Sequence, residues 1–226
     1  MSLAPHVPLE WIGFGCVLVA IPVLIAADAL ADVFQKRNGP LARPLPWSII
    51  LPIFTGLSMT VTGIALTAIR FPDVVALVPA AALAAVMMAV TARRSGHVGF
   101  VWAMLVGLLL AYQSSPVFFR ELAKTIVHHG AAAVREDRLP IAFYGLTYLP
   151  LLAGIAATAV WHRRRGDGVF SRPMTQFTVG LSTLLLFASL THIKAMFPVG
   201  LVLAVGFTAQ TFLFRDRRLL LTALAA

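Results

Sequence analysis

The stretch WSIILPIFTGLSMTVTGIALTAI, residues 47–69, runs without a single charged side chain. Wound as an α-helix at 1.5 Å per residue, it reaches about 34 Å, enough to cross a hydrocarbon core about 30 Å thick. Lipid offers no water to satisfy backbone N–H and C=O groups, so an open strand is excluded and a helix, which pairs them internally, is required. Continuous apolarity also excludes the alternating pattern of a membrane β-barrel. Residues 47–69 therefore predict a transmembrane helix.

Outward from this segment the same character recurs. The chain of 226 residues is 59% hydrophobic and only 12% charged, with a mean hydropathy of +0.88. A soluble domain carries roughly a quarter charged residues. Apolar runs fall at about 11–31, 47–69, 74–92, 98–115, 141–161, 175–193 and 197–214, each near the ~20 residues a spanning helix needs. The expectation is an all-α, polytopic transmembrane bundle of seven helices, folded as one integral membrane domain over residues 1–226. No internal repeat or linker interrupts it. The narrowest separation is THIKAMFPVG, residues 191–200, where Pro198 and Gly200 are expected to break the chain into a tight hairpin. Without that break, one helix from 175 to 214 would run about 60 Å, twice the hydrocarbon thickness.

The net charge of +9 and a pI near 11 would suit a nucleic-acid binder. However, the basic residues lie in short clusters between apolar runs (QKRNGPLAR, TARRSGH, HRRRGDGVFSR, FRDRR) and not on one folded face. Membrane proteins place such clusters at cytoplasmic loop ends. With the N-terminus outside, the cytoplasmic side collects Lys36, Arg37, Arg43, Arg93, Arg94, Arg163, Arg164, Arg165, Arg172, Arg215, Arg217 and Arg218. The outer side keeps only Arg70, Arg120, Lys124, Arg135, Arg138 and Lys194, which sets the orientation N-out and C-in. Trp11, Trp47 and Trp161 stand at span ends, where indoles anchor in the headgroup layer. The preference for Arg over Lys and the abundance of Ala point to a GC-rich bacterial genome, hence a bacterial inner membrane. MSLAPHVPLE carries no basic n-region, and Lys36 and Arg37 follow the first apolar run, so that run is read as an uncleaved span.

The lone cysteine, Cys16, rules out an intramolecular disulfide and a cysteine-based zinc site. Asp28 is the only carboxylate inside a span. It sits one helical turn from Asp32 and within reach of Lys36, so its expected role is an interfacial ion pair, with a proton or cation site as the sharper alternative. Gly56, Thr60, Gly63 and Thr67 recur at three and four, the spacing of a close-packing face. Thr55, Ser58 and Thr62 form an adjacent strip that would suit a weakly polar path. Gly154 and Thr158 repeat the packing theme in span five, and Thr178, Gly180, Ser182 and Ser189 in span six.

Polar chemistry concentrates in SSPVFFRELAKTIVHHGAAAVREDRLP, residues 114–140, on the outer side. Ser115 then Pro116 reads as an N-cap followed by proline in the first turn, and Gly130 as a stop. Phe118, Leu122 and Ile126 share one face while Arg120, Lys124 and His128 share the opposite one, predicting an amphipathic interfacial helix over about 116–130 between spans four and five. Together with neighbouring span ends it outlines an outward-facing ligand pocket of Tyr112, Gln113, Glu121, His128, His129, Tyr144, Tyr148 and His192. No metal is assigned, because adjacent histidines on a helix diverge by about 100° and His192 is distant in sequence. Haem ligation meets the same objection, and no cofactor is assigned. No Ser, His and acid stand at diagnostic spacing. The reading is a permease- or carrier-like protein handling an apolar or weakly polar small molecule or lipid, without nucleic-acid partners. Alternatives are an accessory subunit joined to partner subunits of a larger membrane complex, and a membrane enzyme using Glu121, His128, His129 or His192 as acid–base groups.

Overall fold

The computed structural model describes residues 8–38, 47–69, 75–126, 144–191 and 193–214. Among these it is helical apart from short turns between helices, with no strand. Eight helices follow in order: α1 Leu9–Asn38, α2 Trp47–Ala68, α3 Leu77–Ser95, α4 Val98–Ile126, α5 Tyr144–Thr147, α6 Leu149–Arg164, α7 Gly168–Ser189 and α8 Ile193–Phe214. Among the described residues four segments are long and apolar enough to cross a membrane: Leu9–Phe34, Trp47–Ala68, Leu77–Ser95 and Val98–Pro116. Large apolar side chains point outward from several helices. Phe54 is 68% exposed and Phe212 is 79% exposed, an arrangement that suits hydrocarbon and not water. A lipid bilayer is the environment these helices imply.

The chain divides into two compact units, residues 1–90 with 106–131, and residues 91–105 with 132–226. In the first, α1 and α2 pack along the face the glycines predicted. Ile49, Gly56, Thr60, Gly63 and Thr67 are the buried residues of α2. The backbones meet where Gly13 faces Gly63: a Cβ on Gly13 would stand 2.6 Å from the Gly63 carbonyl oxygen, and one on Gly63 would stand 2.7 Å from that of Gly13. Only glycine permits this approach, and close van der Waals packing is what holds helices together where lipid is as apolar as they are. Higher on α2, Gly56 receives the Leu24 side chain. Ala80 and Ala84 of α3 close on Val17, while Leu77 and Ala81 pack against Leu110 and Ala111 of α4.

The sequence placed a helix boundary at Ser115–Pro116, and α4 crosses it. One helix runs from Val98 to Ile126 with Pro116 inside, so no separate interfacial helix begins at residue 116. The local chemistry explains how. Proline has no N–H to give the carbonyl four residues back, that of Tyr112. Ser115, instead of capping a new helix, donates its hydroxyl to that same Tyr112 carbonyl at 2.7 Å. Residues 127–130, the end of the expected interfacial helix, lie outside the described residues.

In the second unit, the fifth apolar run forms two helices, α5 and α6, separated only by Tyr148. Pro150 stands at the start of α6, where its missing N–H costs no helical bond. The N–H of Tyr148 still reaches the Tyr144 carbonyl at 2.9 Å, so the chain direction is nearly kept. α7 starts at Gly168, earlier than the predicted 175. The α7–α8 break is also displaced: the chain turns at Leu190 and Thr191, and Pro198 and Gly200 lie within α8. Pro198 is the sixth residue of α8, so it forfeits one backbone bond near the helix start, a loss smaller than that of a mid-helix proline. α7 packs on both α6 and α8, and Gly145 of α5 lets Val199 of α8 come close.

Candidate functional site

The residues expected to form the outer pocket distribute as follows. Tyr112 and Gln113 are partly buried on α4 in the first unit. Tyr144 and Tyr148 belong to the second unit, where their rings stack at 5.8 Å and 25° and Tyr148 is buried. Glu121 lies on the α4 backbone, but its side chain is outside the described residues, as are His128, His129 and His192. Among the described residues no three His, Cys, Asp or Glu side chains group as metal ligands.

The small and hydroxylated residues singled out from the sequence divide between exposed and buried faces. Thr55, Ser58 and Thr62 are exposed on α2. Gly154 and Thr158 are exposed on α6, whose buried residues are instead Leu152, Ile155, Ala156 and Ala159. In α7, Thr178, Ser182 and Ser189 are buried and Gly180 is exposed. Buried hydroxyls mostly turn back on their own helix. Thr60 donates to the Gly56 carbonyl at 2.8 Å, Thr178 to that of Met174 at 2.7 Å, and Thr211 to that of Phe207 at 2.9 Å. Such bonds satisfy a polar group inside a low-dielectric interior without a partner helix. Asp28 is partly buried and engaged, while Asp32, Lys36 and Arg37 are exposed.

The most built polar feature stands at the α6–α7 turn. Gly166 has φ +75°, the left-handed conformation that closes helices. Its N–H donates to the Arg163 carbonyl at 3.0 Å, and the N–H of Asp167 donates to that of His162 at 3.0 Å. These two bonds are the Schellman pattern, which satisfies carbonyls orphaned at a helix end. Asp167 then opens α7: one carboxylate oxygen accepts from the Phe170 N–H at 3.4 Å, and the other lies 2.9 Å from His162 Nδ1. The imidazole stacks on Phe170 at 4.7 Å and 13°, and Trp161 meets it edge-on at 4.7 Å. The Arg165 guanidinium lies 3.8 Å from the centre of the Trp161 ring, a cation–π contact. From the sequence Trp161 read as an interface anchor and the arginines as topology signals. The His162–Asp167 pair was missed, although histidine five residues before Asp, with Gly between, is a pattern a helix-closing turn brings together.

Beside this turn a groove of about 560 Å³ opens along α6. It follows two adjacent rows of that helix at spacings of three and four, Leu149, Leu152, Ala156, Val160 and Arg164 beside Ala153, Ala157 and Trp161. Ser182 of α7 and Leu203, Gly206 and Ala209 of α8 complete it. A Cβ on Gly206 would meet nothing within 4 Å, so the absent side chain is part of the space. The volume falls in the ~300–1,000 Å³ range of small-molecule sites, and apart from Ser182 the lining away from the Trp161–Arg164 end is Leu, Ala, Val and Gly.

Helices of this length and apolarity, with a lipophilic groove in one unit, define an α-helical membrane protein. No protein-family model, no curated protein and no solved structure matches the chain.

Proposed function

We propose that the chain is a seven-span bacterial inner-membrane protein, N-terminus outside and C-terminus in the cytosol, folded as a single integral domain. Its function is to hold and pass on an apolar or weakly polar molecule, best a lipid. The observation that carries this reading is the groove along α6, whose walls are hydrocarbon over most of their length and polar at one end. An amphiphile has the same division. Leu149 at the opposite end directly follows in sequence Tyr148, which stacks on Tyr144, and both tyrosines belong to the expected outward pocket. Tyr112, Gln113, Glu121, His128, His129, Tyr144, Tyr148 and His192 remain the proposed ligand-binding residues.

Reconstitution into liposomes tests the proposal. The purified protein should speed exchange of a tail-labelled fluorescent phospholipid between leaflets, and Gly206→Phe, which fills the groove, should slow it at least tenfold. Exchange no faster than in protein-free vesicles overturns the carrier reading.

A further inference from the structure

The groove's polar end has a charge that narrows its occupant. Asp167 is the only carboxylate among the described residues of α5–α8, and it is committed to His162 and the Phe170 N–H. Around it stand Arg163, Arg164, Arg165 and Arg172, all exposed. Arg165 is stacked over Trp161, whereas Arg164 lines the groove itself. Trp161 is 46% exposed beside it, the position of an indole at headgroup depth. We infer that the occupant is an anionic phospholipid, its phosphate held by the Arg164 guanidinium and its tail lying along the α6 face towards Leu149. The inference rests on the groove being a lipid-tail site and adds which lipid it selects.

Three arguments favour this occupant. A guanidinium presents a planar fork that matches phosphate oxygens, and its attraction is strengthened where water is scarce. Basic pockets at helix ends on the cytoplasmic side meet the leaflet that carries anionic lipids, and the positive-inside orientation puts Arg163–Arg165 there. A second copy docking by two-fold symmetry would bring the same patch of arginines against itself, which like-charge repulsion opposes.

Trp161 reports on the test. The full chain is reconstituted in bilayers containing tail-brominated phosphatidylglycerol or tail-brominated phosphatidylcholine. Quenching of Trp161 is taken as the difference from a Trp161→Phe protein. Association with the anionic lipid should exceed that with the zwitterionic lipid about fivefold, the advantage one arginine gives at a charged surface. Arg164→Gln, a change at an exposed position, should bring the ratio to about one, while Arg172→Gln keeps it. Equal quenching by both lipids in the unmodified protein, or an unchanged ratio in Arg164→Gln, overturns the anionic selection while leaving the groove a lipid site. Quenching that persists undiminished in Gly206→Phe overturns the groove reading beneath it. Loss of quenching by either lipid together with a dimer in solution assigns the groove to a second copy and overturns both.

Discussion

Asp167 joins two helices through one side chain. Its N–H closes α6, one carboxylate oxygen caps α7, and the other holds His162 between Phe170 and Trp161. Asp167→Ala should therefore cost about 1–2 kcal/mol, the upper part of the range for a lost cap. Asp167→Asn, which keeps an acceptor for the Phe170 N–H, should cost less. Thermal unfolding in detergent ranks the two. Ser114 gives the opposite expectation. Its hydroxyl is fully buried on α4 and has no hydrogen-bond partner among the described residues. Such an orphan costs roughly 1–3 kcal/mol, so Ser114→Ala should leave stability unchanged or raise it by about 1 kcal/mol in the same assay. Neither residue's role could be read from the string of letters. HRRRGDG advertises charge, and charge alone locates a loop; only the left-handed Gly166 folds Asp167 back to the histidine.

At the scale of the helix, the legible features were those that depend on spacing within one element. Gly56, Thr60, Gly63 and Thr67 repeat at three and four, and a helix has only one face for them. Gly63→Leu should separate α1 from α2, because the added side chain meets the Gly13 carbonyl and Val17 and overpacking costs about 1–3 kcal/mol. A lowered unfolding temperature is the measure. Breaks were less legible: Pro116 reads as the start of a new helix and Pro198 as part of a hairpin. Pro116 and Pro198 both lie inside helices, and the turn at Leu190–Thr191 has neither proline nor glycine to announce it. At Pro116 a serine hydroxyl takes over the stranded carbonyl. This predicts a coupled pair: Ser115→Ala should cost about 1 kcal/mol beside Pro116, and clearly less in a Pro116→Ala background, where residue 116 regains an N–H for Tyr112. Additive losses across that double-mutant cycle would exclude the substitution of one donor for another.

For the molecule as a whole, composition and the placement of arginine carried most of the reading. Among the described residues, the four helices long and apolar enough to span follow from composition, since a hydrocarbon solvent demands them. The proposed N-out, C-in arrangement makes a further prediction. A single cysteine placed at Gly168 in a Cys16→Ser background should be modified by a membrane-impermeant maleimide only from the cytoplasmic side. One placed at Ala132 should react only from the outside. The reverse pattern would invert the topology. The α6 groove was beyond the sequence reading for a geometric reason. It arises from which faces of α6, α7 and α8 are turned to one another, and alanine at positions 153, 156 and 157 says only that something comes near or that nothing does.

The hydroxyls that bond within their own helices bear on how the chain is made. A threonine that waited for a neighbour's carbonyl would enter oil as a lone dipole until that neighbour arrived. In α2, α7 and α8 the acceptor travels with the donor, four residues away. If, as proposed, α7 and α8 cross the bilayer as α2 does, each of these segments can leave the insertion machinery singly, in order of synthesis, and the search for neighbours can follow afterwards as a separate stage of biogenesis.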